Sequence, residues 1–252
     1  MLSPWLSGPR IYRPATGVRD RFRCPGKALP PACSIGKVKA MSLKINEIFY
    51  SLQGESLFTG LACVFVRLTG CNLRCAWCDT RYAYDEGREM TVEDIIQRVS
   101  GYDCPLVEIT GGEPLLQDQT PVLIHKLLAR GHRVLVETNG TCDIRDLPAA
   151  CEKIVDIKCP GSGEDGRHRP DILAQLQPHD QVKFVISNET DYCFARDFSR
   201  NIRAVPAGNM LFSPVSGVLA GSTLAEWILR DHLGVRMQLQ LHQIIWKGER
   251  GK

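Results

Sequence analysis

From residue 62 onward, short apolar β-rich runs alternate with helix-length segments. We predict strands at 62–68, 106–110, 133–138, 153–158, 181–186, 209–214 and 236–242, and helices at 91–99, 120–131, 189–198 and 223–233. Thr91 is the expected N-cap of the first helix, and Gly131 is the expected stop of the second. This alternation is typical of βαβ units and predicts an α/β fold whose parallel sheet is open or closed into a barrel. The functional site should lie beyond the carboxyl ends of the strands.

The sequence CNLRCAWC, residues 71–78, places three cysteines in the loop that follows the first of these strands. Thiolates with the spacing C-x3-C-x2-C can converge on one metal centre. A structural zinc ion requires four ligands, and the next candidates, Cys104 and His125, are distant in sequence and belong to no second ligand pair. A [4Fe–4S] cluster held by three thiolates would instead leave one iron open to another ligand.

Charge and cysteine usage limit the other classes of function. Residues 1–40 contain eight Lys or Arg and one acid, which leaves 23 basic and 27 acidic residues, a net charge of −4, in residues 41–252. This balance gives no reason to predict a nucleic-acid-binding surface. The chain has no apolar run long enough to span a membrane. Several of the eleven cysteines lie in or beside apolar stretches, as core thiols do (Cys63, Cys104, Cys151 and Cys193), so we expect a reducing, cytoplasmic compartment.

The two ends of the chain differ in character from the rest. Residues 1–40 are rich in proline and arginine and have no periodic apolar pattern, so we predict a disordered basic extension there and one core domain over 41–252. The extension has the acid-poor composition of a targeting segment but no clear amphipathic helix, and an alternative is that translation begins at Met41. The charged sequence WKGERGK, residues 246–252, is expected to fray.

The cysteine spacing, with the aromatic Trp77 before the last cysteine, resembles the signature of the radical S-adenosylmethionine (SAM) superfamily. GGEP (111–114) and ETNG (137–140) resemble two SAM-contacting loops of that superfamily. The resemblance implies that Cys71, Cys75 and Cys78 bind a [4Fe–4S] cluster whose open iron binds SAM. It also implies SAM contacts from Trp77, Cys78, Asp79, Gly112, Glu113, Glu137, Asn139, Asp156, Ile157 and Lys158. Two of these have an alternative, because Glu113 could only hold its loop and Lys158 could simply be solvated.

The flanking sequences NEIFYSLQGESLFTG (46–60) and FVRLTGCNLRCAWCDTRYAY (65–84) closely resemble the 7-carboxy-7-deazaguanine synthase family, over about residues 45–246. The resemblance implies an abbreviated, partial TIM-like barrel of parallel strands with outer helices. It implies a lyase that converts 6-carboxy-5,6,7,8-tetrahydropterin to 7-carboxy-7-deazaguanine in queuosine biosynthesis. A SAM-derived radical abstracts hydrogen from C6, ammonia is lost and SAM is regenerated, with no protein catalytic residue beyond the cluster and that radical.

The family also implies a substrate site, magnesium at Thr80, a homodimer, and an electron donor of the flavodoxin or ferredoxin type. The substrate residues would be Leu52, Gln53, Gly54, Glu55, Arg67 and Thr110, and Ser213 in FSPVSG (212–217) is a further candidate. An arginine in an apolar strand needs an anion, and Arg67 could bind either the substrate carboxylate or an internal partner such as Glu113. Asp79 could be an outer-shell partner of the magnesium site.

The sequence leaves two other functions open. A radical SAM activase that generates a glycyl radical on a protein partner shares the cysteine spacing and a small barrel. It would need a protein-docking groove in place of a pterin pocket, and SLQGE, Arg67 and the CDT continuation argue against it. A non-catalytic zinc or iron–sulfur module would need neither GGEP nor ETNG.

Overall fold

Nine strands form one sheet in the computed structural model, which describes residues 41–252. They are β1 (Ser42–Leu52), β2 (Ala62–Leu68), β3 (Arg88–Thr91), β4 (Leu106–Gly111), β5 (Arg133–Thr138), β6 (Glu152–Asp156), β7 (Gln181–Ile186), β8 (Met210–Pro214) and β9 (Arg236–Met237). Their order is β3-β1-β2-β4-β5-β6-β7-β8-β9, so β3 and β9 are the two edges. The predictions for residues 1–40 lie outside the described residues.

The strands from β2 through β4 to β9 are parallel, as the alternating pattern predicted. Five helices accompany them in the described region: α1 (Val92–Ser100), α2 (Thr120–Leu128), α3 (Glu189–Ser199), α4 (Gly221–Arg230) and α5 (Leu241–Trp246). Thr91 caps α1, since its hydroxyl accepts the Asp94 N–H at 3.1 Å. Gly131 has a φ of 85° beyond the end of α2, a left-handed conformation that glycine adopts at little cost.

The core lies between the sheet and its helices. Val134, Leu135 and Val136 of β5 are all fully buried, as expected for a parallel strand that is covered on both faces. The predicted core thiols Cys63, Cys104 and Cys151 are buried as well, whereas Cys193 is half-buried. Every cysteine within residues 41–252 is free of disulfide bonds.

Two parts of the sheet differ from the sequence-based prediction. The first two elements are antiparallel: β1 pairs with β2 on one side and with β3 on the other, and neither β1 nor β3 was predicted. The strand predicted at 236–242 is wrong beyond Met237, because the chain leaves the sheet after two residues. There the Gln238 side chain hydrogen-bonds the Ser56 N–H (2.9 Å) and carbonyl (2.8 Å). These bonds tie the end of the sheet to the loop after β1.

No helix within residues 41–252 has the length and apolar character needed to cross a bilayer.

Candidate active site

A cavity of about 470 Å³ opens at the carboxyl ends of the parallel strands. The cysteine loop after β2 lines it, together with Gly112 after β4, Asn139 after β5 and Asp156 at the end of β6. In parallel strands these ends meet at one edge of the sheet, which is why loops separated by many residues share one mouth.

Most of the predicted site residues line this cavity. They are Leu52, Gln53, Gly54, Glu55, Arg67, Cys71, Cys75, Trp77, Cys78, Asp79, Thr80, Thr110, Gly112, Glu137, Asn139, Asp156 and Lys158. Three predicted residues do not line it: Glu113, Ile157 and Ser213 are fully buried, and their side chains face the protein interior.

The cysteine loop is held by backbone hydrogen bonds at its start and between its second and third cysteines. The Gly70 carbonyl accepts the Glu113 N–H at 2.8 Å, and the Ala76 N–H donates to the Ser162 carbonyl at 3.0 Å. Gly112 lies so close to this loop that a Cβ on it would be 2.2 Å from the Gly70 oxygen and 2.6 Å from the Cys71 Cβ. Only glycine fits there, because both clashing groups belong to the loop that carries the cysteines.

The donor set fits a [4Fe–4S] cluster better than a zinc ion. The three cysteines are half-buried beside the cavity, and burial raises the pKa of Cys71 and Cys75, so these thiols give up a proton when metal binds. No three His, Cys, Asp or Glu side chains among the described residues lie close enough to enclose one metal ion, which the zinc interpretation requires. A cluster does not require that convergence, because each thiolate binds a different iron.

Glu113 links the two loops that resemble SAM-binding segments. Its carboxylate accepts hydrogen bonds from the Leu115 N–H (3.0 Å), the Asn139 N–H (2.7 Å) and the Thr138 hydroxyl (2.9 Å). Burial raises its pKa to about 7 despite these three donors. The geometry therefore favours the loop-holding alternative for Glu113 over a direct contact with SAM.

Asp156 and Lys158 form an ion pair on the cluster side of the cavity, with Lys158 Nζ 2.9 Å from Asp156 Oδ2. Burial disfavours the charged ammonium, but the nearby negative groups, Asp156 first among them, together outweigh that effect and raise the pKa of Lys158. The other oxygen of Asp156 is buried and has no hydrogen-bond partner in the described structure. An unpaired buried acceptor beside the cavity suits a ligand that carries N–H or O–H groups, as SAM does.

Next to this pair, Lys183 of β7 lies among three carboxylates. Its Nζ is 2.5 Å from Glu55 Oε2, 2.5 Å from Glu137 Oε1 and 3.6 Å from Asp156 Oδ2. Burial opposes the charge of Lys183, but Glu137 and Glu55 outweigh it and raise the pKa of Lys183 well above its usual range. The lysine is therefore a fixed cation, and Glu137 is placed beside the predicted substrate residue Glu55.

Two further predicted substrate residues, Gln53 and Gly54, contact residues that the sequence did not point to. Gln53 donates through Nε2 to Glu108, a buried residue of β4 whose pKa is raised well above its ordinary value by burial and by the nearby Glu137 carboxylate. The close approach at Gly54 is made by His242, since a Cβ there would lie 2.4 Å from His242 Nδ1.

Arg67 lines the cavity, but its internal partner is Glu47 and not Glu113. Arg67 Nε donates to Glu47 Oε1 at 2.8 Å, and the Tyr82 hydroxyl donates to the same oxygen at 3.0 Å. The terminal amino groups of Arg67 make no hydrogen bond with any residue in the described part of the chain. Those two groups are available to an anion in the cavity.

Thr80 lies at the mouth of the cavity beside Asp79. Its hydroxyl donates to Asp79 Oδ1 at 2.7 Å. The lone pairs of the Thr80 oxygen therefore point away from Asp79 and can bind a metal ion. The second oxygen of Asp79 is 3.7 Å from His242 Nε2. Hard oxygen ligands of this kind suit Mg²⁺ that retains several waters.

Five residues in or beside the cavity were not predicted from the sequence: Glu47, Glu108, Lys183, His242 and Arg250. Glu108 and Lys183 had a readable signal, since each is a charged residue inside an apolar strand, in LVEIT and QVKFVI. A buried charge in such a run requires a partner, and both side chains point into the barrel.

Comparison with known proteins shows which family the chain belongs to. Residues 65–160 match the profile of the Radical SAM superfamily. The 7-carboxy-7-deazaguanine synthase of Koribacter versatilis is 46% identical over 223 residues, covering 82% of this chain and 98% of that protein. The enzyme of the same name from Chlorobaculum tepidum is 45% identical over 207 residues, covering 81% and 94%.

Among solved structures, the crystal structure of QueE from Escherichia coli aligns with a TM-score of 0.67 over 80% of this chain and 95% of that one, at 24% identity. That likeness confirms the predicted fold, a partial barrel of mainly parallel strands. The sequence identity confirms the predicted family. The chain belongs to the 7-carboxy-7-deazaguanine synthase family of radical SAM enzymes.

Proposed function

We propose that this chain converts 6-carboxy-5,6,7,8-tetrahydropterin to 7-carboxy-7-deazaguanine with loss of ammonia. The observation that supports this most is the lining of the cavity. The three-cysteine loop and the side chains of Arg67, Glu55 and Glu137 all line the same cavity. A carboxylated pterin has an anionic end and an edge of N–H donors, and these side chains offer a partner for each.

The family uses a [4Fe–4S] cluster and SAM, and the chain offers residues for both. Cys71, Cys75 and Cys78 would hold the cluster, while Asp156 and Lys158 would contact SAM. Together the cluster and SAM supply a 5′-deoxyadenosyl radical when bound and reduced. Gly112, Trp77 and Asn139 are also proposed to contact SAM. Ile157 can contribute only its backbone to such a contact. Glu113 holds the two loops together.

The substrate side would work by positioning and charge. The terminal amino groups of Arg67 would bind the pterin carboxylate as a fork. Glu55 and Glu137 would accept the N–H groups of the pyrimidine edge, because Lys183 keeps both carboxylates fixed and charge-compensated. Glu137 is therefore proposed to contact the substrate, although the resemblance implied that it contacts SAM. Thr110 donates to Glu137 Oε2 at 3.3 Å and would orient it.

Magnesium would bind through the Thr80 hydroxyl, with Asp79 as an outer-shell hydrogen-bond partner. One protein oxygen, several waters and the substrate carboxylate make a complete set of hard ligands. Such a site gains most of its charge from the substrate, so metal and substrate would bind together.

Two other features are proposed from the family resemblance, a homodimer and an electron donor of the flavodoxin or ferredoxin type. A cytoplasmic location is proposed from the free cysteines. A core domain over residues 41–252 is supported by the contacts within that stretch, which form one compact unit.

The reaction can be tested with protein reconstituted anaerobically with iron and sulfide. It is incubated with dithionite, SAM, magnesium and 6-carboxytetrahydropterin, and the product is identified by mass spectrometry. We expect 7-carboxy-7-deazaguanine, and none from Cys71→Ala, Cys75→Ala or Cys78→Ala. Cys193→Ala is the matched control, because Cys193 is half-buried on α3 and does not line the cavity.

The same experiment separates the alternatives. Cleavage of SAM to 5′-deoxyadenosine without the deazaguanine would retain the radical chemistry and refute the pterin assignment in favour of an activase. Stoichiometric zinc with no iron after anaerobic purification would favour the metal-binding module.

A further inference from the structure

Residues 247–252 fold back over the mouth of the cavity, although their sequence predicted a frayed segment. Lys247, Gly248 and Gly251 have φ values of 50°, 76° and 72°, and these left-handed residues reverse the chain after α5. The Glu249 N–H then donates to the Trp246 carbonyl at 2.9 Å. As a result, residues 248–252 form part of the cavity wall.

Arg250 anchors this segment. Its guanidinium donates to Glu86 Oε2 at 2.8 Å and to Asn46 Oδ1 at 3.1 Å. It also stacks on the ring of Tyr82, with its central carbon 4.1 Å from the ring centroid. Because these partners come from β1 and from the loop after the cysteines, Arg250 joins two elements that flank the substrate side of the cavity.

The fourth contact of Arg250 is with Glu47, the internal partner of Arg67. Glu47 Oε1 accepts Arg67 Nε and the Tyr82 hydroxyl, while Glu47 Oε2 lies 3.5 Å from Arg250 Nε. One carboxylate therefore stands between two guanidinium groups, with one oxygen turned to each.

This arrangement controls what Arg67 can offer a ligand. A carboxylate and a guanidinium prefer two parallel hydrogen bonds. If Glu47 Oε2 were not held by Arg250, Glu47 could turn and occupy a terminal amino group of Arg67 as well. The internal partner would then compete with the ligand for the same donors.

We propose that Arg250 is a positioning residue that holds Glu47 on the Nε side of Arg67. The terminal amino groups of Arg67 then remain free for a carboxylated ligand. This inference rests on the proposed function, because it assigns a carboxylate of the pterin class to Arg67. It makes residues 247–252 a determinant of selectivity for carboxylated over uncarboxylated pterins.

The test measures the dissociation constants of 6-carboxypterin and of pterin by fluorescence, on anaerobically reconstituted protein with SAM and magnesium. The variants are Arg250→Ala, Arg250→Lys and Arg67→Ala. Arg230→Ala is the matched control, since Arg230 is a half-exposed arginine paired with Asp231 on α4, outside the cavity.

We expect Arg250→Ala to weaken 6-carboxypterin binding on the order of tenfold, which is the size of one charge-assisted hydrogen bond. The same variant should change pterin binding less than about twofold. Arg250→Lys should fall between, because it retains the charge but not the fork. In an Arg67→Ala background, Arg250→Ala should change neither constant further, since the two residues act through one group.

Equal weakening for both ligands would show a general structural role and overturn the inference, as would unchanged constants in Arg250→Ala and Arg250→Lys. Product formation by wild-type protein, measured in the same preparation, separates a failure of the inference on Arg250 from a failure of the proposed function. If wild type makes the deazaguanine but Arg250→Ala keeps full selectivity, only the inference fails. If wild type neither forms product nor prefers 6-carboxypterin, the proposed function fails with it.

Discussion

Replacing Lys183 by methionine tests how the charges inside the cavity are balanced. The side chain of Lys183 is 6% exposed, and its ammonium is the shared partner of Glu55, Glu137 and Asp156. Methionine fills a similar volume but removes the cation, so the carboxylates lose their counter-charge while they remain partly desolvated.

The size of the effect follows from the burial of the partners. Breaking a buried ion pair by removing one member costs about 3–5 kcal/mol. Glu137 is 26% exposed and recovers some hydration, whereas Asp156 is 9% exposed and keeps Lys158 as a second partner. We therefore expect the lower end, about 3 kcal/mol of lost unfolding free energy.

The assay is urea unfolding followed by circular dichroism, with variants compared at equal iron content. Lys126→Met is the matched control, because Lys126 pairs with the exposed Glu93 and its removal should have a much smaller effect on stability. The double variant Lys183→Met/Glu137→Gln should recover part of the loss, since it removes one of the unbalanced charges. A loss in Lys183→Met no greater than in the control would refute the buried ion network.

Three other predictions concern the loops around the cavity. Gly112→Ala should abolish cluster assembly, seen as lost iron and lost absorbance near 400 nm, because the added Cβ collides with the loop that carries Cys71. Glu113→Gln should destabilise the protein by about 1–3 kcal/mol, since an amide N–H would face a backbone N–H of Leu115 or Asn139. Wild-type Glu113 also stabilises the fold by roughly 3 kcal/mol below pH 4.5, and this is lost as pH rises through about 7. Thr80→Ala should raise the magnesium concentration for half-maximal turnover at least about tenfold.

Each of these has its own control. Gly208→Ala places a Cβ in open space and should leave the iron content unchanged. The pH-dependent contribution of Glu113 should be absent from Glu113→Gln, so parallel stability curves for the two proteins between pH 5 and 8 would contradict its assignment. Thr223→Ala on α4 should leave the magnesium dependence as in wild type, and an unchanged dependence in Thr80→Ala would remove Thr80 from the metal site.

Much of the parallel sheet could be predicted from local patterns. The strands at 133–138 and 181–186 have the predicted bounds, because each is an apolar run whose neighbours break regular structure. The antiparallel start could not be predicted in this way. The pairing of β1 with β2 depends on a nine-residue connection whose Gln53 and Leu61 backbones bond at 2.8 Å, and no short turn motif marks it.

The sequence by itself determined the chemistry of the cysteine loop and the family, since thiolate spacing and glycine positions are local properties of the chain. Only the tertiary structure decided which charges meet. Lys183 joins Glu55 across 128 residues, and Arg250 reaches Glu86 across 164. Neither partner can be read from the sequence, because an ion pair depends on distance in space and on burial. The same reason explains why residues 247–252, charged and glycine-rich, form a wall of the site rather than a frayed end.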